Sequence, residues 1–149
     1  MIAIGSDHAG FPLKEEIRAY LDSKGIEYKD FGVYTPDRAD YPVYGEKVAR
    51  AVASGEYEKG ILVCGTGIGI SIAANKVDGI RAACCSDYFS AKYTRAHNDA
   101  NILCMGARVI GGGAACELVD VFLNTEFEGG RHAERIALFE KIEKGEQLY

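Results

Sequence analysis

A chain of 149 residues, 48% apolar and 26% charged, is long enough to bury one substantial core and has the balance of a globular domain. A net charge of −5 and a pI near 5.2 argue against nucleic acid or an anionic membrane surface as its main partner. The five cysteines are odd in number and follow no pairing pattern, which fits a reducing compartment, and no C-x-x-C spacing suggests zinc.

Taken in order, the chain alternates strand and helix. It enters an apolar strand at Met1 to Gly5, with no signal peptide and no membrane span, so a cytoplasmic protein is expected. Ser6-Asp7-His8-Ala9-Gly10 follows, and then Leu13, Ile17, Tyr20 and Leu21 at helical spacing up to Gly25. Glu27 to Phe31 alternates as a half-buried strand does. A loop from Gly32 to Pro42 leads to a helix carrying Tyr44, Val48, Ala51 and Val52. Ile61 to Val63 reads as a strand buried on both faces, with a helix after its glycine loop to about Lys76. Ile80 to Cys84 and Ile102 to Met105 are the remaining strands, each with a helix after it (Asp87 to Ala96, Ala114 to Leu123). A last helix runs from Arg131 to about Lys144. There is no internal repeat.

This alternation predicts a single domain of the α/β class over residues 1–149. Its core would be a Rossmann-like, doubly wound, five-stranded parallel sheet with helices on both faces. An order such as 2-1-3-4-5 places a topological switch between the first and third strands, and ligands bind outside the carboxyl ends of strands there. The stretches that end those two strands are Asp7-His8 and Cys64-Gly65-Thr66-Gly67-Ile68-Gly69.

The second stretch is unusual. Backbone N–H groups of a glycine loop and the start of a helix make an anion site, and a thiol beside it has its thiolate favoured, so Cys64 is a candidate base or nucleophile. Familiar glycine loops do not fit. No lysine follows, as a P-loop requires; the third glycine comes one residue early for a dinucleotide fingerprint; and Ile70 stands where a cysteine phosphatase needs an arginine. Arg131 and Arg135, four apart on one helix face, could hold a phosphate between them or simply pair with Glu134 or Glu128.

Asp7-His8-Ala9-Gly10, Asp40-Tyr41-Pro42, Cys64 to Gly69, His97-Asn98-Asp99 and Gly129-Gly130-Arg131-His132 together resemble the type B ribose-5-phosphate isomerases. That sugar-phosphate isomerase family also includes galactose-6-phosphate isomerase subunits. The resemblance runs in order over nearly the whole chain. It implies interconversion of ribose 5-phosphate and ribulose 5-phosphate through an enediolate, with no cofactor and no metal. Cys64 would be the base between C1 and C2, and His97, with Asp7 and Thr66, would open the sugar ring. The phosphate would lie on Arg131 and Arg135 with His8 assisting, and Asn98, Arg108 and Tyr41 match further ligand positions. Some relatives lack the cysteine and carry a glutamate where this chain has Ile70, so the chain resembles the cysteine branch.

The residues agree with that chemistry. An enediolate needs a base, here Cys64, and donors for the developing oxyanion, here the N–H groups of Gly65, Thr66, Gly67, Ile68 and Gly69. The fold adds a constraint: a helix after a strand runs back, so His97 and Arg131 should lie at the opposite end of the sheet from Cys64. The expectation is therefore a homodimer, with a tetramer open, in which sites are shared and the 131–144 helix packs on a partner subunit. An isomerase of a six-carbon phosphosugar (galactose or allose 6-phosphate) and a non-catalytic phosphosugar-binding domain are the alternatives. The second could dispense with Cys64 and His97.

Overall fold

Five strands pair as one all-parallel sheet in a computed structural model that describes residues 1–149. In chain order the elements are β1 (Ile2–Ser6), α1 (Phe11–Ser23), β2 (Tyr28–Asp30), α2 (Tyr41–Ala53), β3 (Lys59–Cys64), α3 (Ile68–Ala74), β4 (Ala82–Cys84), α4 (Tyr88–Asn98), β5 (Ile102–Gly106), α5 (Gly112–Asn124) and α6 (Arg131–Glu143). No helix is long and apolar enough to cross a membrane.

The strand order is β2-β1-β3-β5-β4, which corrects the expected end of the sheet. The reason is burial. Ile102–Gly106 is buried throughout and belongs beside β3, whereas Ala82–Cys84 has only three half-buried or exposed residues and suits an edge. The reversal of direction between β1 and β3 is unaffected. Register places Ser6 opposite Val63, and Cys64 opposite Gly106. The ends of β1, β3 and β5 therefore lie side by side.

Alternate residues of the central strands feed two cores. Ile2, Ile4, Ile61, Val63, Leu103 and Met105 meet α1 and α5 on one face. Ala3, Leu62, Cys64, Ile102 and Cys104 meet α2 and α3 on the other. Burial on both sides explains why these strands read as unbroken apolar runs. Lys14, fully buried on α1, binds both oxygens of Asp30 at 2.8 and 2.7 Å and the carbonyl of Val33 at 2.6 Å. It thereby pins the end of the short strand β2. Helix α6 stands apart: it packs on α4, buries only His132, and leaves Leu138, Phe139 and Ile142 exposed.

Candidate active site

Two chain reversals at the sheet's carboxyl edge build a cleft of about 420 Å³ lined by Asp7, His8, Ala9, Tyr41, Cys64, Gly65, Thr66, Ile68, Gly69 and Arg108. At the first reversal the Asp7 carboxylate accepts the Gly10 N–H at 2.9 Å, while the Asp7 N–H reaches the Val63 carbonyl at 3.3 Å. A side chain on Gly10 would strike that same carbonyl, so glycine lets α1 start directly over the end of β3. His8 engages the Ala39 backbone through Nδ1, 3.1 Å from the carbonyl oxygen and 3.2 Å from the amide nitrogen. Its Nε2 is left for other partners.

At the second reversal Cys64 is the last residue of β3, only 4% exposed, and its Sγ accepts the Gly67 N–H at 3.1 Å. Gly67 has φ +80° and rests on the backbone of Met105, where a Cβ would come within 2.7 Å. Gly106 in turn lies under Thr66, and the N–H groups of Ala107 and Arg108 donate to the carbonyls of Cys64 and Gly65 at 2.9 and 3.0 Å. The loop is thus stapled to the end of β5. Two of the five expected oxyanion donors are already used within it, since the Ile68 N–H donates to Thr66 Oγ1 at 3.2 Å and the Gly67 N–H to the sulfur. Tyr41 covers Gly69 so closely that a Cβ there would meet its ring at 2.8 Å.

The other cysteines are less suited to proton transfer. Burial pushes the Cys104 thiol well above its ordinary pKa, and the Cys85 thiol up to about 11. Burial first, and nearby Cys64 second, also raises Cys84, which sits on the far side of the loop with Sγ 3.7 Å from the Thr66 carbonyl.

Arg108 completes the cleft. Its guanidinium packs over Gly65 and makes no ion pair within the chain. A free cation in an acidic chain, beside a glycine loop, is a ready anion ligand.

His97, Asn98, Arg131 and Arg135 are not in this cleft. His97 is in the last turn of α4, whose chain leads through Ala100 directly into the start of β5, while Cys64 faces that strand's other end. Glu128 donates its N–H to the Ala96 carbonyl at 3.0 Å, which holds the start of α6 at this same remote end. Asn98 borders a separate cavity of about 330 Å³ with Arg81, Thr94 and Phe139. Arg131 and Arg135 are exposed and form no ion pair, so neither takes Glu134 or Glu128 as partner. Glu128 instead stands 3.5 Å from both His97 and His132, whose rings stack at 4.1 Å and 10°.

Sequence reading gave His97 a ring-opening role through the resemblance and Glu128 a place beside the arginines, but did not join them with His132 in this second cluster. Its signal was the Gly129-Gly130 pair, whose positive φ values of 67° and 58° turn the chain so that His132 returns to Glu128.

A thiol at the switch point of a parallel α/β sheet, next to anion donors and a free arginine, makes a site for proton transfer on a small anionic ligand, and the glycine spacing is not that of a nucleotide loop. Comparison with known proteins agrees. The sequence matches the Ribose/Galactose Isomerase family over residues 2–139, and the chain belongs to that family. It is 52% identical to ribose-5-phosphate isomerase B of Escherichia coli, with 96% of each chain covered. Its structure is similar to that of Clostridium thermocellum ribose-5-phosphate isomerase B, with a TM-score of 0.95, 54% identity and 97% of each chain covered. It is also similar to the Thermotoga maritima ribose 5-phosphate isomerase, with a TM-score of 0.92 and 51% identity, covering 94% of this chain and 97% of that one.

Proposed function

We propose that the protein interconverts ribose 5-phosphate and ribulose 5-phosphate, in the cytoplasm, through active sites shared between two copies of the chain. The observation that carries this reading is the position of Cys64, buried at the end of β3 with its sulfur held by the Gly67 N–H and facing a cleft with an unpaired arginine.

In the aldose-to-ketose direction the Cys64 thiolate removes the proton from C2 of the open-chain sugar. The electron pair forms the C1–C2 double bond, and the carbonyl oxygen on C1 becomes an oxyanion. The N–H groups of Gly65, Thr66 and Gly69 are the loop donors left to receive it, since those of Gly67 and Ile68 are spent within the loop. The thiol then returns a proton to C1, while the O2 hydroxyl gives its proton up to O1 and becomes the ketone. Nothing is oxidised or reduced overall, so the step needs no cofactor.

The open chain must first be made from the ring. His97 of the partner subunit takes that role, with Asp7 and Thr66 beside the ring oxygen and anomeric hydroxyl. Arg131 and Arg135 of the partner subunit hold the phosphate with His8, and Arg108 and the partner's Asn98 complete the ligand set, with Tyr41 closing the side over Gly69. The distance between the two clusters within one chain supports the sharing. So does α6, whose exposed Leu138, Phe139 and Ile142 offer an apolar face to a second subunit. The oligomer is therefore at least a homodimer.

The deciding experiment follows ketose formation from ribose 5-phosphate, with galactose and allose 6-phosphates as parallel substrates. Turnover of the pentose phosphate with the highest kcat/KM is expected. Preference for a hexose phosphate would replace the substrate, and binding without turnover of any of them would make the protein a sensor.

A further inference from the structure

Three donor atoms converge between the last turn of α4 and the first turn of α6, away from the cleft that Cys64 lines. His97 Nε2 and His132 Nε2 each stand 3.5 Å from a single atom, Oε2 of Glu128, and all the donors lie within 4.8 Å of one another. A charge-assisted hydrogen bond would be shorter, at about 2.7–2.9 Å. A tetrahedral zinc ion with bonds of about 2.0–2.1 Å sets its ligand atoms about 3.3–3.4 Å apart. The 3.5 Å spacings are too long for such hydrogen bonds and close to those around an ion, once the stacked rings turn to face it.

The backbone holds two of the three in place. The Glu128 N–H is bonded to the Ala96 carbonyl at 3.0 Å, and the His132 N–H to the Gly129 carbonyl at 3.1 Å. The His132 side chain is 10% exposed and its ring is fixed, whereas His97 is 37% exposed and Glu128 55%. The two rings stack at 10°, so the His97 ring must turn about its Cβ–Cγ bond to face an ion in the plane of His132. In the single chain its exposure leaves it free to do so, and in the proposed dimer an ion would enter by the cleft that admits the sugar.

We infer that His97, Glu128 and His132 form an inhibitory site for a borderline-soft divalent cation of the Zn2+ type. Two imidazoles and one carboxylate suit zinc, copper or nickel and are poor ligands for magnesium or calcium. Arg131 begins the same helix and makes no ion pair, so simple electrostatic attraction does not draw cations here. Selectivity rests on direct ligation. Inhibition rests on the proposed use of His97 in ring opening, because a bound ion occupies the nitrogen that would move the proton.

The test titrates the intact protein with Zn2+ by calorimetry, and with Co2+ by visible absorption, alongside Mg2+ at equal concentration. One Zn2+ per chain is expected, with a tetrahedral Co2+ spectrum free of thiolate charge-transfer bands, and no Mg2+ uptake. Outer-shell partners of a metal are worth about 10–100-fold in affinity, so loss of a ligand should weaken binding at least that much. Glu128→Ala and Glu128→Gln, each checked for an unchanged melting temperature, should both bind Zn2+ about a hundred-fold more weakly and stay active at zinc concentrations that stop the wild type. Unchanged binding in both variants, thiolate bands, or no binding at all would overturn the site while leaving His97's proposed role intact. Binding at the site with full activity retained would instead overturn the inhibition and, with it, that role.

Discussion

Cys64 and His97 stand against opposite ends of the same strand: Cys64 pairs with Gly106 at the end of β5, and His97 closes the helix that leads into its beginning. If both act on one sugar, they must come from different chains. Mixing Cys64→Ala and His97→Ala subunits, unfolded and refolded together, gives about half mixed dimers by random pairing. Each mixed dimer holds one intact site and one doubly damaged site. About a quarter of wild-type activity should return. No return, with mixed dimers demonstrated by mass, would place the chemistry within one chain.

Cys64→Ala should abolish isomerisation yet leave phosphosugar binding nearly unchanged, because only the proton-transfer step loses its participant. Cys64→Ser should restore little, a hydroxyl being far less acidic than a thiol. Calorimetric binding beside a turnover assay separates the two effects, and substantial turnover by the alanine variant would point to another base.

Arg131 and Arg135 carry unpaired charge that the proposed phosphate would satisfy. Truncating Arg135 removes charge-assisted hydrogen bonds worth roughly 1.5–3 kcal/mol, so KM should rise about ten- to a hundred-fold. Unphosphorylated ribose should be a very poor substrate for the intact protein. Equal use of ribose and its phosphate would remove both arginines from the site.

The buried Lys14–Asp30 pair makes a stability prediction. Lys14→Ala leaves the Asp30 carboxylate, only 11% exposed, with just the longer 3.4 Å contact to the half-exposed Arg18 as a charge partner. Breaking such a pair costs about 3–5 kcal/mol. Lys14→Met restores much of the lost volume but not the charge, so it should recover only part of that loss in urea unfolding. A Lys14→Ala variant as stable as the wild type would show that the pair contributes nothing net.

Asp87 caps α4, its carboxylate accepting the Ser90 N–H at 2.7 Å, and this bond holds its pKa below the ordinary carboxylate value. A carboxylate whose folded pKa is depressed stabilises the fold above the unfolded value, and that contribution is lost as pH falls through the folded value. At neutral pH, Asp87→Ala should melt at a lower temperature than the wild type. The gap should close at acid pH, once both states bind the proton. A gap that does not change with pH would mean that the cap works by shape rather than charge.

Much of this was legible in the sequence because the relevant signals are local. The two-sided burial of Ile61 to Val63 and Ile102 to Met105 follows from unbroken apolar runs, and the tight reversal at Gly67 from the spacing of its glycines. The place of β4 was not legible. Sequence order suggested that it would lie beside β3, but the edge is decided by which strand can bury both faces, a comparison between distant segments. The partners of Glu128 were hidden for a similar reason. Arg131 is nearer in sequence, yet a two-glycine turn and a backbone bond to Ala96 bring the carboxylate to two imidazoles instead.

The sheet ends on both sides in strands of three residues, Tyr28–Asp30 and Ala82–Cys84. Edges that short offer too few unpaired backbone groups to template another strand. A second copy therefore has no ladder to extend, and any assembly would have to proceed through helical surfaces. Stoichiometry is then limited by the shape of a few side-chain patches, which protects a protein with two-sided apolar strands from growing into an open-ended ribbon.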